Sequence, residues 1–143
     1  MKIVFDTNVI ISGLYSKRGA SYQLLKVALS SKLAFAISPL VALEYEGKIN
    51  QKIEESFLRV SKKDCEKILD ALFAMAEPVW EPVEIRPILV DLTDDKMLEC
   101  AVSGGCTHIV TFNKKHFPLP SLIPYGIRVM TAGEFFKIWR DKS

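Results

Sequence analysis

Residues 1–10, Met1-Lys2-Ile3-Val4-Phe5-Asp6-Thr7-Asn8-Val9-Ile10, pass from an apolar run to a polar trio and back to an apolar pattern. Neighbouring strand residues point to opposite sides of a sheet, so three consecutive apolar side chains, Ile3, Val4 and Phe5, suit a strand buried on both faces. Asp6-Thr7-Asn8 ends the run with residue types that favour turns and helix starts, and Val9-Ile10-Ile11 resumes an apolar pattern. The reading is strand, turn, helix. Ligands of open α/β sheets bind outside the carboxyl ends of the strands, which puts Asp6 where a functional crevice is expected. The plain alternative is that Asp6 or Thr7 does no more than cap the next helix.

Working outward, residues Ala20 to Leu33 carry apolar side chains at helical spacing after the Lys17-Arg18-Gly19 turn, and Leu33 to Ile37 reads as a second short strand. Ser38-Pro39 is a helix start, serine as N-cap and proline at the first position, for a helix running through Leu43, Glu44 and Ile49. Ser61 with Asp64 resembles a capping box before a long helix striped by Cys65, Ile68, Leu69, Leu72 and Phe73, which ends before Pro78. The proline-rich segment Val79 to Pro87 suits an edge strand or an extended connection, and Ile88-Leu89-Val90 leads from it to Asp91, Thr93, Asp94 and Asp95. Met97, Leu98, Ala101 and Val102 recur at helical spacing, with Gly104-Gly105 closing that helix. His108 to Phe112 then repeats the apolar-strand-then-polar pattern of the first strand, ending in Asn113-Lys114-Lys115-His116. Ile127 to Met130 is a last strand, and Thr131 with Glu134 starts a C-terminal helix through Phe135, Phe136, Ile138 and Trp139. Strands alternating with helices predict an α/β fold, a mostly parallel sheet flanked by helices on both faces.

A length of 143 residues suits one domain spanning 1–143, since no composition shift divides it. Apolar residues at 49% and charged residues at 25% match a globular average, and no apolar run is long enough to cross a bilayer. Met1-Lys2 leads straight into a strand without the pattern of a secretory signal, so a soluble, cytoplasmic protein with no membrane partner is expected. Three cysteines, none in a Cys-x-x-Cys pair, suggest buried thiols rather than a disulfide framework or a thiolate zinc site. The net charge of +2 is too small for binding to nucleic acid by charge alone, and it does not exclude such a partner.

Three acidic positions fall where this topology gathers side chains: Asp6 after the first strand, Glu44 within a helix, and Asp94-Asp95 at the start of another. Two carboxylates about 4 Å apart repel by roughly 4 kcal/mol at an effective dielectric near 20, so such a cluster persists if it is protonated or shares a cation. Hard oxygen ligands without thiolates favour Mg²⁺ or Mn²⁺, ions that commonly act on phosphates, and the chemistry indicated is hydrolysis of a phosphodiester.

Four segments together resemble the PIN-domain ribonucleases, in particular the VapC-like toxins: KIVFDTNVIISG (2–13), SPLVALEYEGKI (38–49), LTDDKMLECAVSGGCTHIVTFNKKHFP (92–118) and GIRVMTAGEFF (126–136). The resemblance implies a divalent-metal-dependent endoribonuclease whose acids match Asp6, Glu44 and Asp94, with Asp95 as a further ligand. Asp94 is preferred because Met97, Leu98 and Ala101 then follow at the family's helical cadence. Many members carry a fourth acid where this chain has Asn113, which binds metal through a neutral carbonyl and so puts second-metal affinity and activity in question. By the same resemblance Thr7, Asn8 and Thr111 are groups that hold the carboxylates through hydrogen bonds. A homodimer and a small antitoxin protein are implied by resemblance alone.

Each residue also has a bland reading. Glu44 alone could be a helix-surface acid, Asp94 a cap and His116 a solvated loop histidine. Lys114, Lys115 and Lys17-Arg18 could steer RNA or be ordinary solvated surface. The aromatic residues Phe57, Phe73, Phe135, Phe136 and Trp139 suit core or subunit contact better than base stacking. Two other functions remain: a catalytically weak PIN module that binds RNA or a protein partner, motivated by Asn113, and a haloacid-dehalogenase-type phosphotransferase, which expects a second aspartate where Asn8 stands.

Overall fold

Ile3, Val4 and Phe5 are at most 1% exposed, as consecutive residues of a strand must be when both faces of its sheet are covered. In this computed structural model, which describes residues 1–84, 92–118 and 122–142 (of 92–94 the backbone alone), they belong to β1 (Lys2–Phe5). β1 is the centre of a sheet ordered β3-β2-β1-β4-β5, with β2 at Ala34–Ile37, β3 at Glu77–Pro78, β4 at His108–Val110 and β5 at Arg128–Met130. Every pairing is parallel, and Ile3 faces Phe35 on one side and His108 on the other. The expected α/β architecture is therefore the observed one.

Helices join the strands: α1 (Thr7–Tyr15), α2 (Ala20–Leu29), α3 (Pro39–Glu54), α4 (Lys62–Met75), α5 (Leu92–Ser103) and α6 (Ala132–Lys142). Strand ends pass almost directly into helix starts. Ser38 follows β2 and its hydroxyl accepts the Val41 N–H at the start of α3. Thr131 follows β5, and it and Glu134 satisfy each other's backbone N–H in a reciprocal capping box. Because the strands are parallel, these junctions and Asp6 gather at one edge of the sheet, the edge where ligands of such folds bind.

Three boundaries differ from the sequence reading for identifiable reasons. α2 stops at Leu29 rather than Leu33: Ser31 is left-handed at φ 63°, and the N–H groups of Ser31 and Lys32 close on the carbonyls of Ala28 and Val27. The edge strand is Glu77–Pro78, earlier than the Val79 to Pro87 segment, and an edge tolerates Pro78 because it pairs on one side only. β4 ends at Val110, and short 3-10 turns at Lys114–His116 and Ile123–Tyr125 occupy stretches with no periodic signal. Residues 85–91, including Ile88-Leu89-Val90 and Asp91, lie outside the described residues.

The three cysteines are buried free thiols. Desolvation pushes Cys100 up to about 11 and Cys106 up to about 12, so neither is a thiolate at neutral pH. Among the described residues, no helix is long and apolar enough to cross a membrane.

Candidate active site

Asp6 is held from three directions. Its backbone N–H continues the ladder to the Val110 carbonyl (2.9 Å), which fixes where the side chain leaves the sheet. One carboxylate oxygen, Oδ1, accepts the Thr7 N–H at 2.8 Å as the N-cap of α1, and Oδ2 accepts the Thr111 hydroxyl at 2.6 Å. Thr111 is fully buried, and its oxygen in turn accepts the Asn113 N–H at 3.0 Å. Hydrogen bonds to an ionised acceptor are the stronger kind, about 1.5–3 kcal/mol each, and here they set one orientation for a carboxylate that is 6% exposed. Asn8 ties the same two strand ends together by accepting the Phe112 N–H at 3.4 Å. Asp6 thus caps a helix and lies in the crevice, so the two readings of it coexist.

Glu44 owes its place to its neighbour. Tyr45 is fully buried and its hydroxyl donates to the Phe5 carbonyl, which bolts α3 to the residue before Asp6. Burial, with smaller contributions from nearby Cys100 and Asp6, raises the Tyr45 phenol well above its ordinary range, so the donor proton is retained. Glu44 faces the same open cleft as Asp6, about 360 Å³ in volume, whose walls also include Thr7, Asn8 and Asn113. It is half-buried and makes no hydrogen bond or ion pair with any described residue. Thr7 Oγ1, buried in the cleft wall, likewise has no hydrogen-bond partner among the described residues. A hard cation with its waters suits this donor set, two carboxylates, an amide carbonyl and a hydroxyl, better than a soft or thiolate-seeking metal.

The side chain of Asp94 lies outside the described residues, though its backbone is in the first turn of α5. Asp95 is fully buried and is not among the described side chains lining the cleft. Among the described residues no three His, Cys, Asp or Glu side chains are grouped to grip an ion. Lys114 reaches both oxygens of Glu134, at 3.0 and 3.3 Å, while Lys115 is exposed. The Thr131 N–H and then Lys114 hold the Glu134 carboxyl below its usual range.

Five residues of the cleft were absent from the sequence-derived site. Ile11, Lys48, Lys52, Phe57 and His116 all line it. For the lysines a signal existed: 44, 48 and 52 recur every fourth residue and therefore share one helix face. Phe57 follows the end of α3, and its exposure of 43% had no sequence signal.

A family model described as the PIN domain matches residues 2–115. Among solved structures, VapBC2 from Rickettsia felis, in a crystal structure bound to a DNA fragment from their promoter, superposes with a TM-score of 0.57 at 14% identity. The alignment covers 90% of this chain and 97% of that one, a likeness of fold. Among curated proteins none matches the chain.

Proposed function

The chain belongs to the PIN-domain family, and on that premise we propose that it is a divalent-metal-dependent endoribonuclease hydrolysing RNA phosphodiesters. The observation that carries this reading is the shared cleft of Asp6 and Glu44 at the carboxyl edge of the parallel sheet, one carboxylate fixed by two donors and the other without a hydrogen-bond or ion-pair partner among the described residues. Asp6, Glu44 and Asp94 are proposed as the acids that hold Mg²⁺ or Mn²⁺, with Asn113 contributing a neutral oxygen and Asp95 as a further candidate. When bound, such an ion polarises a phosphoryl oxygen, acidifies a water and stabilises the departing oxygen.

The chain's own residues do the remaining work. Thr7 N–H and the Thr111 hydroxyl keep the Asp6 carboxylate in one orientation, and Tyr45 keeps α3, and so Glu44, at a fixed distance from it. The Thr7 hydroxyl, which has no hydrogen-bond partner among the described residues, lies in the cleft wall where it can orient a water. Lys48, and Lys52 with its ammonium 3.4 Å from the Glu55 carboxylate, bring positive charge to a cleft whose other charged walls are acidic, which favours a polyanionic substrate. Lys114 and Lys115 are kept as proposed RNA contacts, Lys114 engaged by Glu134 and Lys115 exposed.

The whole of 1–143 is read as one PIN-like nuclease domain, supported by a structural likeness that covers 90% of it. A small antitoxin partner and a toxin role are proposed because a structure of like fold is a VapBC assembly; a homodimer is proposed from the family resemblance alone, and a cytoplasmic location from the sequence pattern. Asn113 supports a second reading, a weak or inactive PIN module that binds RNA or a protein, because it puts no charge where the cleft has room for an acid. The membership also removes the ground for the phosphotransferase reading.

The test is cleavage of a mixed single-stranded RNA pool with Mn²⁺, Mg²⁺ or EDTA by wild type, Asp6→Asn and Glu44→Gln. Metal-dependent cutting lost in both variants supports the nuclease. Equal cutting by all three proteins identifies a contaminant and overturns it, and RNA binding without cutting moves the assignment to the inactive module.

A further inference from the structure

The structure assigns a nucleobase-stacking shelf to the rings of Phe57 and Tyr15 at the far end of the acid cleft, with Lys52 and Lys48 as the phosphate contacts beside it. This inference rests on the nuclease reading for its substrate class, single-stranded RNA, and is tested separately from it. The two rings stack with centroids 4.7 Å apart and planes 16° from parallel. Tyr15 is 59% exposed and Phe57 43% exposed, so the pair presents aromatic surface to solvent rather than filling the core. Phe57 lines the cleft itself, together with Ile11 one turn before Tyr15 on α1.

The backbone is shaped to hold Phe57 there. At the end of α3, Ser56 is left-handed at φ 59°, a conformation that costs a non-glycine residue free energy. The N–H groups of Ser56 and Phe57 return to the carbonyls of Ile53 and Lys52, at 3.0 and 2.9 Å. This Schellman-type turn folds Phe57 back over the last turn of its own helix, where the Lys52 ammonium lies 5.2 Å from the ring centroid. Leu58, the next residue, is buried, so the turn separates one side chain for the core from one for the surface.

A turn of this kind ordinarily brings an apolar residue onto the helix it closes, and a ring pair can serve simply to staple α1 to α3. Position and charge distinguish the present case. Glu44, Lys48 and Lys52 follow one face of α3 over about 12 Å of helix, so the cleft runs from acids to lysines to rings along a single line. That order matches the chemistry of a single strand, whose phosphates seek the lysines and whose unpaired bases have faces that stack on aromatic rings without regard to sequence. With the scissile phosphate by the acids and the next phosphates by the lysines, a base farther along the same strand would rest on the shelf.

The test measures binding of a short single-stranded RNA by fluorescence anisotropy in EDTA, where it is not cut. Oligonucleotides with one abasic position scanned along the strand are measured beside the intact one. Separate Mn²⁺ reactions give KM and kcat, and thermal melts confirm that each variant folds. Phe57→Ala and Tyr15→Ala are expected to weaken binding and raise KM by roughly 5- to 100-fold with kcat little changed, the range known for loss of a base stack. Phe57→Tyr should restore binding, and one abasic position should weaken wild type as much as Phe57→Ala does while adding little further loss in that variant.

Wild-type affinity in both alanine variants overturns the shelf, as does a loss that is equal for intact and abasic strands, which marks a purely structural staple. Unchanged RNA binding with an altered oligomeric state by light scattering also overturns it, making the rings a contact between copies. Wild type that binds RNA in this base-dependent way but never cuts it upholds the shelf and refutes the nuclease. Wild type that cuts RNA while ignoring the alanine changes does the reverse.

Discussion

Thr111→Val removes one hydroxyl and leaves the side-chain shape nearly unchanged, in a position with no solvent exposure. The hydroxyl has two jobs, donating to Asp6 Oδ2 at 2.6 Å and accepting from the Asn113 N–H at 3.0 Å. Loss of a hydrogen bond to an ionised acceptor costs about 1.5–3 kcal/mol. The Asn113 residue is exposed, so water can take over its N–H at little cost, and the added buried methyl returns up to about 0.8 kcal/mol. The net expectation is about 1–2 kcal/mol of lost stability, or a Tm lower by roughly 3–8 °C for a chain of this size. The same change frees one end of the Asp6 carboxylate, which should weaken Mn²⁺ binding by roughly 10- to 100-fold. Calorimetric melts and Mn²⁺ titrations of Thr111→Val and Thr111→Ser read both effects. Serine keeps the donor, so it should hold metal affinity near wild type and lose only about 1 kcal/mol of stability through its missing methyl. A valine variant that melts and binds Mn²⁺ like wild type, or a serine variant as impaired as valine, would refute the reasoning.

Other consequences are open to similar measurement. Tyr45→Phe leaves the buried Phe5 carbonyl without its donor, and urea unfolding should show a loss of about 1–3 kcal/mol, with RNA cleavage reduced further as Glu44 loses its fixed position. His108 is buried, and desolvation first, then the charges of Arg128 and Lys142, lowers its folded-state pKa. The unfolded chain then binds more protons, so this stability is present above the unfolded value, about 6.5, and is lost as pH falls toward the folded value; Tm should drop on acidification below about pH 6.5, and less so in His108→Gln. Gly104→Ala would set a Cβ 2.9 Å from the Cys100 carbonyl and 3.0 Å from Ala36 Cβ, and should destabilise by about 1–3 kcal/mol in the same assay. Asn113→Asp adds a charge to the cleft wall and should raise Mn²⁺ affinity on the order of tenfold, while an unchanged affinity would separate Asn113 from the ion.

What could be read in the sequence was what a local physical rule dictates. Ile3-Val4-Phe5 announced a strand covered on both faces, Ser38-Pro39 and Thr131 with Glu134 announced helix starts, and Gly105, at φ 65°, lies where a helix stop was expected. Glu44, inside α3, was paired with Asp6 through the family resemblance, since alone it reads as a surface acid, and the tie between their neighbours, Tyr45 to Phe5, had no signature since a buried tyrosine resembles any apolar residue at that spacing. The left-handed turns at Ser31 and Ser56 were illegible for a related reason. Serine has no special preference for that conformation, and the hydrogen bonds that enforce it are made by backbone alone. The end of α2 and the outward placement of Phe57 depend on those turns, so of the two places read for Phe57, core or subunit contact, its 43% exposure in the cleft wall excludes the core. Lys48 and Lys52 were readable from their spacing to Glu44, but only once α3 was seen to continue to Glu54.

The central claim is that Asp6 and Glu44 together hold a divalent ion in one cleft. It is tested most directly by titrating wild type, Asp6→Asn and Glu44→Gln with Mn²⁺ while following the electron paramagnetic resonance signal of the free ion. The account predicts loss of free signal with wild type, weaker uptake by each variant, and release by excess Mg²⁺. Identical uptake by all three proteins, or none by wild type, would contradict it.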